Sequence, residues 1–265
     1  MDPIAQFKEN AKRSWSTFAP TEMFTGTGAP RLVKLAGIGR GMQVLDVGCG
    51  TGVVALTAAR LGAKVTGVDL TPNLIERARE HAAMMKLTVE WHEGDAEALP
   101  VPDAAFDVVV SQFGHMFAPR PDVTVKEMLR VLKPGGTIAF ATWPPELFTG
   151  KMFALLGKYG PPLPPGVSPP PQWGDPNIVR ERLGAAVKDL FFDRSMLHFQ
   201  MLSPVHYRLF FETNVGPMAK LVEALSASDP QKLGALRAEV DELVGLYFED
   251  NQVRQDYLLT RAVKV

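Results

Sequence analysis

Val44-Leu45-Asp46-Val47-Gly48-Cys49-Gly50-Thr51-Gly52 is the stretch from which the rest of the chain is read. Val44, Leu45 and Val47 form an apolar run of strand length that ends in glycines at alternate positions 48, 50 and 52. A helical run from Val53 to Arg60 follows. Strand, tight glycine turn and helix N-terminus together make a place where backbone meets a ligand with no Cβ in the way. A single glycine there would indicate only a sharp turn. Three at alternate positions after an acid-bearing strand indicate a binding loop.

Outward from this loop, the pattern repeats. Lys64 to Val68 is a second strand ending at Asp69, and Thr71-Pro72 opens a helix with Leu74, Ile75, Ala78, Ala82 and Met85 on one face. Leu87, Val89 and Trp91 alternate with polar residues as an edge strand does, up to Gly94-Asp95. Phe106 to Val110 is a continuous apolar strand. A helix carrying Val125, Met128, Leu129 and Leu132 should stop at Pro134-Gly135-Gly136, before a strand from Thr137 to Trp143. This order predicts an α/β fold, a doubly wound, Rossmann-like, mostly parallel sheet with a ligand crevice at the carboxyl ends of its strands. Asp46, Asp69, Asp95, Ser111 and Trp143 all fall at such ends.

The flanks read differently. Phe7, Ala11, Trp15 and Phe18 make an amphipathic stripe, either core packing or a lid over the crevice. Ten of the 22 prolines fall between 144 and 176, around a predicted helix at 148–159 and a stiff loop from Gly160 to Pro171. A helix from Asp175-Pro176 to Leu183, a long strand near 190–201, a helix after Ser203-Pro204, helical pattern over 217–248 and a closing strand at 257–265 complete the chain. The predicted domains are an N-terminal helical lid (1–40), a core (41–143), a Pro-rich loop and helical cap that includes one core strand (144–253), and a closing strand (254–265).

Composition limits the functions available. The 265 residues are 46% hydrophobic, enough for a full core. Net charge is −1 with Lys and Arg scattered, which argues against a nucleic-acid partner bound by its field. Cys49 is the only cysteine, the N-terminal stretch carries no apolar signal-like segment, and no run approaches membrane-span length. The expected setting is cytoplasmic, with no membrane span. The five histidines lack metal-ligand spacing, so no metal is expected.

Two ligand classes use a glycine turn with an acid at the end of the next strand: dinucleotides and S-adenosylmethionine. The dinucleotide pattern requires G-x-G-x-x-G, and position 53 is Val. At this point the chain resembles the class I S-adenosylmethionine-dependent methyltransferases of small-molecule type, including those of ubiquinone and menaquinone biosynthesis. The matching blocks are Val44 to Gly52, Val68-Asp69-Leu70, Glu93 to Pro100, Phe106 to Val109 and Arg130 to Gly136. The resemblance is strong over about 40–143 and weak elsewhere. It implies S-adenosyl-L-methionine as cofactor and a small apolar or aromatic methyl acceptor. It implies a seven-stranded sheet whose last strand is antiparallel. Gly48, Cys49, Gly50 and Gly52 would pass under the methionine, with Asp46 near its amino group. Asp69 would take the ribose hydroxyls, Leu70 would pack on adenine, and Asp95 and Ala96 would meet the adenine edge. Ser111 and Gln112 would face the methionine end, and Trp15 would close the lid.

A base is needed only if the acceptor must lose a proton, and His115 is the candidate. A histidine buried for packing alone is the competing reading of that position. His206, Tyr207, Trp143, Trp173 and Phe210 are further residues that could reach the pocket or simply fill core. Ser111-Gln112-Phe113-Gly114 lacks the Pro-Pro signature of nucleic-acid amino-methyltransferases, and Cys49 lies inside the loop instead of in a Pro-Cys nucleophile. Two alternatives stay open: a non-catalytic module that holds S-adenosylmethionine, and a nicotinamide-dependent oxidoreductase, which Val53 disfavours. The sequence does not decide the oligomeric state.

Overall fold

A computed structural model describes residues 2–265. Helix α1 (Pro3–Trp15) is capped by the Asp2 carboxylate, which accepts the Ile4 N–H. Short helices α2 (Glu22–Thr25) and α3 (Ala29–Leu35) follow. Strand β1 (Gln43–Val47) leads through the glycine loop to α4 (Val53–Arg60), and β2 (Lys64–Asp69) leads to α5 (Pro72–Met84). Next come β3 (Glu90–Glu93), β4 (Phe106–Gln112), α6 (Pro121–Val131) and β5 (Leu132–Thr142). Helices α7 (Phe148–Tyr159) and α8 (Pro176–Leu183) precede β6 (Val187–Gln200). Helices α9 (Pro204–Asn214), α10 (Gly216–Ser228) and α11 (Pro230–Gly245) precede the hairpin β7 (Phe248–Glu249) and β8 (Gln252–Lys264).

The sheet runs in the order β3-β2-β1-β4-β5-β8-β6, with β7 paired to β8 off that path. Strands β1 to β5 run parallel to one another, and β8 is antiparallel to both β5 and β6. This is the doubly wound, Rossmann-like sheet with one antiparallel insertion. The chain moves outward in opposite directions from β1 and β4, so the switch point lies between them, where a crevice opens at the carboxyl ends. The central strands are buried because helices cover both faces. Val44, Leu45, Val109 and Val110 are fully enclosed.

Several local expectations differ. The helix of residues 121–131 ends before Pro134-Gly135-Gly136, because Leu132 already pairs with Phe106 and the Pro-Gly-Gly turn lies within β5 at a register shift. The helical pattern over 217–248 divides at Asp229-Pro230. Pro230 has no N–H to continue α10, and the Asp229 carboxylate caps α11 by accepting the Lys232 N–H. Strand β3 begins only at Glu90, and the two-residue β7 escapes sequence reading. The Thr71 side chain does not cap α5; instead the Asp69 carboxylate accepts the Thr71 N–H at 2.8 Å. Among the described residues, no helix is long and apolar enough to cross a membrane.

Candidate functional site

A cavity of about 1480 Å³, its open mouth included, lies over the carboxyl ends of β1, β2 and β4. Its floor is the glycine loop. Gly48, Gly50 and Gly52 all have positive φ, at 65°, 54° and 85°. The Gly48 and Cys49 N–H groups both donate to Val68 O, pinning the loop to the end of β2. A Cβ at Gly48 would stand 2.8 Å from the Gly114 Cα, so the crossing of these two backbones requires glycine.

The polar side of the cavity is built from strand-end acids. Asp69 accepts N–H bonds from Gly50 and Thr71, both at 2.8 Å, and burial raises its pKa against those bonds. Its two oxygens retain lone pairs for further donors. Asp95 accepts the Glu97 N–H at 2.9 Å and the Lys8 ammonium at 2.5 Å. Lys8 also donates to Glu97 at 2.6 Å, and the Glu97 carboxylate in turn holds Arg120. With the Lys12–Glu93 pair, these contacts latch α1 across the cavity. The N-terminal stripe is thereby a wall: Phe7, Ala11, Trp15 and Phe18 all line the space.

The opposite side is aromatic. Phe113, Phe117, Trp143, Phe153, Phe199 and Phe211 face the cavity with Thr149 and Gln255. Phe113 sits in left-handed backbone at φ 58° and stacks on Trp143 with ring centroids 3.9 Å apart. Such a conformation costs on the order of 1–3 kcal/mol for a non-glycine residue. It turns the chain sharply after β4.

That turn decides the fate of the predicted base. His115 does not line the cavity. It is buried between Phe140 and Trp173, with both ring nitrogens unpartnered. Burial, and then the nearby Arg182 charge, lower its pKa to about 3, so it is neutral at ordinary pH. The expectation of a proton acceptor at 115 is corrected accordingly: the side chain is packed away from any acceptor. Ser111 is also enclosed; its hydroxyl donates to Val47 O at 2.6 Å and accepts the His115 N–H at 2.9 Å. Asp46 lies behind the loop. One oxygen accepts the Ala55 N–H at 3.0 Å, the other is unpartnered, and burial pushes its pKa up to about 7. Gly52 is likewise off the wall, packed against Trp91.

The structure brings together Trp15, Gly48, Cys49, Gly50, Asp69, Leu70, Asp95, Ala96 and Gln112 in the lining of one cavity. Gln112 is oriented by its Nε2 donating to Thr25 O at 2.8 Å. Trp143 reaches the cavity, while Trp173 sits with His115 and Phe210 packs on Phe24. Neither His206 nor Tyr207 reaches it: His206 accepts the Leu202 N–H, and the buried Tyr207 hydroxyl accepts from Gln255. Sequence reasoning missed Glu22, Phe113, Phe153, Phe199 and Phe211. The positive φ at Phe113 has no residue-type signal, Glu22 is an ordinary acid in the first turn of a helix, and the other three are ordinary helix and strand aromatics. Among the described residues, no cluster of three His, Cys, Asp or Glu side chains is gathered to hold a metal.

Comparison with known proteins agrees with this geometry. Residues 45–140 match the family model described as a methyltransferase domain. An uncharacterized protein of Mycobacterium tuberculosis is 38% identical over 242 residues, covering 89% of this chain and 86% of that protein. The demethylmenaquinone methyltransferase of Staphylococcus aureus is 42% identical over 139 residues, covering 50% of this chain and 57% of its own length. Among solved structures, the Haemonchus contortus phosphoethanolamine N-methyltransferase 2, in complex with phosphomonomethylethanolamine and S-adenosylhomocysteine, superposes with a TM-score of 0.56. It is 19% identical, with coverage of 90% of this chain and 52% of that one, a likeness of fold.

Proposed function

The chain belongs to the family of S-adenosylmethionine-dependent methyltransferases, and from that premise we propose that it methylates a small apolar or aromatic molecule held in the aromatic half of the cavity. The observation that carries this reading is the division of one cavity into a polar wall of strand-end acids and an aromatic wall beside it. Bound there, the cofactor supplies a methyl group already activated by a sulfonium.

The chain's own residues would position and desolvate. Asp69, Leu70, Asp95 and Ala96 would hold the nucleoside, and Gly48 to Gly50 would lie under the methionine. Spare lone pairs on Asp69 and Asp95 suit hydroxyl and amino donors. Phe113, Trp143, Phe153 and Phe199 would pack a flat or apolar acceptor and exclude water, leaving proximity as the main contribution to rate. Trp15 and Phe18 on the latched α1 side would close the site.

The test is turnover. Purified protein is incubated with S-adenosylmethionine and a panel of phenols, thiols, amines and apolar carbon acids, and S-adenosylhomocysteine and methylated product are quantified by mass spectrometry. Product from aromatic or apolar acceptors is expected. Turnover of no panel member, or of the polar amines alone, would overturn the reading.

A further inference from the structure

Four charged side chains line the cavity: Lys8, Glu22, Asp69 and Asp95. Three of them are matched. Lys8 and Asp95 bond each other, and Asp69 accepts two backbone N–H groups. Glu22 is not. Its Oε1 lies 3.5 Å from His81 Nε2 and 3.7 Å from Arg77 Nη2, beyond good hydrogen-bond length, and its Oε2 is buried with no partner. A buried carboxylate oxygen lacking a donor is costly, and a site that keeps one has a donor missing.

The position of Glu22 identifies that donor. Helix α2 stands beside the C-terminal part of the glycine loop, next to the Gly48–Gly50 segment that would lie under the methionine. His81, next to Glu22, meets the Thr51 carbonyl at 3.3 Å, and Gly26, one turn after Glu22, packs beside Val53 at the start of α4. Asp46, the acid the family resemblance implies for the amino group, also has an unpartnered oxygen, but it stands off the cavity wall with its other oxygen on the Ala55 N–H. We infer that Glu22 binds the α-ammonium group of the cofactor, from the cavity side of the loop. The inference rests on the S-adenosylmethionine reading. A primary ammonium offers three donors and a full positive charge, the complement of an under-satisfied carboxylate. The sulfonium has no N–H or O–H to give, and the ribose hydroxyls fall to Asp69 at the end of β2.

The experiment compares wild type with Glu22→Gln by calorimetry, using S-adenosylmethionine, S-adenosylhomocysteine and 5′-methylthioadenosine. The last keeps the nucleoside and sulfur but lacks the amino-acid moiety. Glu22→Gln should weaken both amino-acid-bearing ligands by about ten-fold or more, the loss expected for one charge-assisted bond. Binding of 5′-methylthioadenosine should stay within about two-fold, which also shows that the variant is folded. Glu22→Asp should recover part of the affinity. Equal weakening of all three ligands would mean that Glu22 only supports the wall, and unchanged binding of all three would mean that it does not hold the ammonium group; either overturns the inference. A variant that binds normally but transfers methyl groups slowly would make Glu22 a base instead. Failure of wild type to bind any of the three would remove the cofactor reading itself, and the inference with it.

Discussion

The polar half of the cavity and its aromatic half differ in where their walls originate. The polar half comes mainly from three short stretches, 48–53, 69–71 and 94–96, each at the carboxyl end of a neighbouring strand or just beyond it. Its contacts are backbone N–H groups, carboxylates and a loop whose φ values require glycine. The aromatic half is assembled from Phe7, Trp15, Phe113, Trp143, Phe153, Phe199 and Phe211, which are scattered over most of the chain. Backbone geometry ties the first half to particular residue types. Packing ties the second only to size and apolarity, and many sequences meet that demand. A polar wall of fixed form can therefore serve one ligand while the aromatic wall is free to fit another.

If the polar half depends on backbone approach, the largest effect should come from adding one carbon there. A Cβ at Gly114 would meet Gly48 O at 2.4 Å and the Gly48 Cα at 2.8 Å. Gly114→Ala should cost about 3 kcal/mol in urea unfolding and abolish cofactor binding in calorimetry. Alanine tolerated at 114 without loss would break the comparison.

His115 belongs to neither half, and its effect should appear in stability. Its folded pKa of about 3 lies below the unfolded value of 6.5, so below pH 6.5 the unfolded chain binds the extra proton. The stability from the neutral ring is complete above pH 6.5 and is lost as pH falls toward 3. Between pH 7.5 and 4.5, wild type should lose about 2–3 kcal/mol more than His115→Leu in urea titrations. Parallel losses in the two proteins would contradict this. Asp46 acts in the opposite sense. Its folded pKa is raised, so its contribution is present at low pH and falls away as pH rises through 7.

The smallest effect should come from the latch joining the halves. Lys8 bridges Asp95 and the buried Glu97. Lys8→Met should cost about 1 kcal/mol and speed proteolysis within residues 3–15, leaving the sheet protected. Cleavage unchanged from wild type would show that α1 is held by its aromatic stripe alone.

The same contrast explains what could be read in advance. Strand order and ligand side follow from apolar runs and strand-end acids, which are local. The glycine loop, Asp69 and Asp95 were legible because backbone conformation and strand ends restrict residue type. His115 misled because one left-handed residue, Phe113, redirects the chain, and nothing about phenylalanine announces that. Ser111 misled because its hydroxyl is used up between Val47 and His115. Glu22, Phe153, Phe199 and Phe211 were invisible because their meeting depends on tertiary packing of distant segments. Similarly, Pro134-Gly135-Gly136 looked like a helix stop, yet pairing of Leu132 with Phe106 ends the helix earlier.

The central claim is that the strand-end acids hold S-adenosylmethionine, with Asp69 on its ribose. Calorimetric titration of wild type and Asp69→Ala with S-adenosylmethionine and with NADH tests it most directly. Wild type should bind S-adenosylmethionine and not NADH, and Asp69→Ala should weaken the former by about ten-fold or more. Unchanged affinity in Asp69→Ala, or tighter binding of NADH, would contradict it.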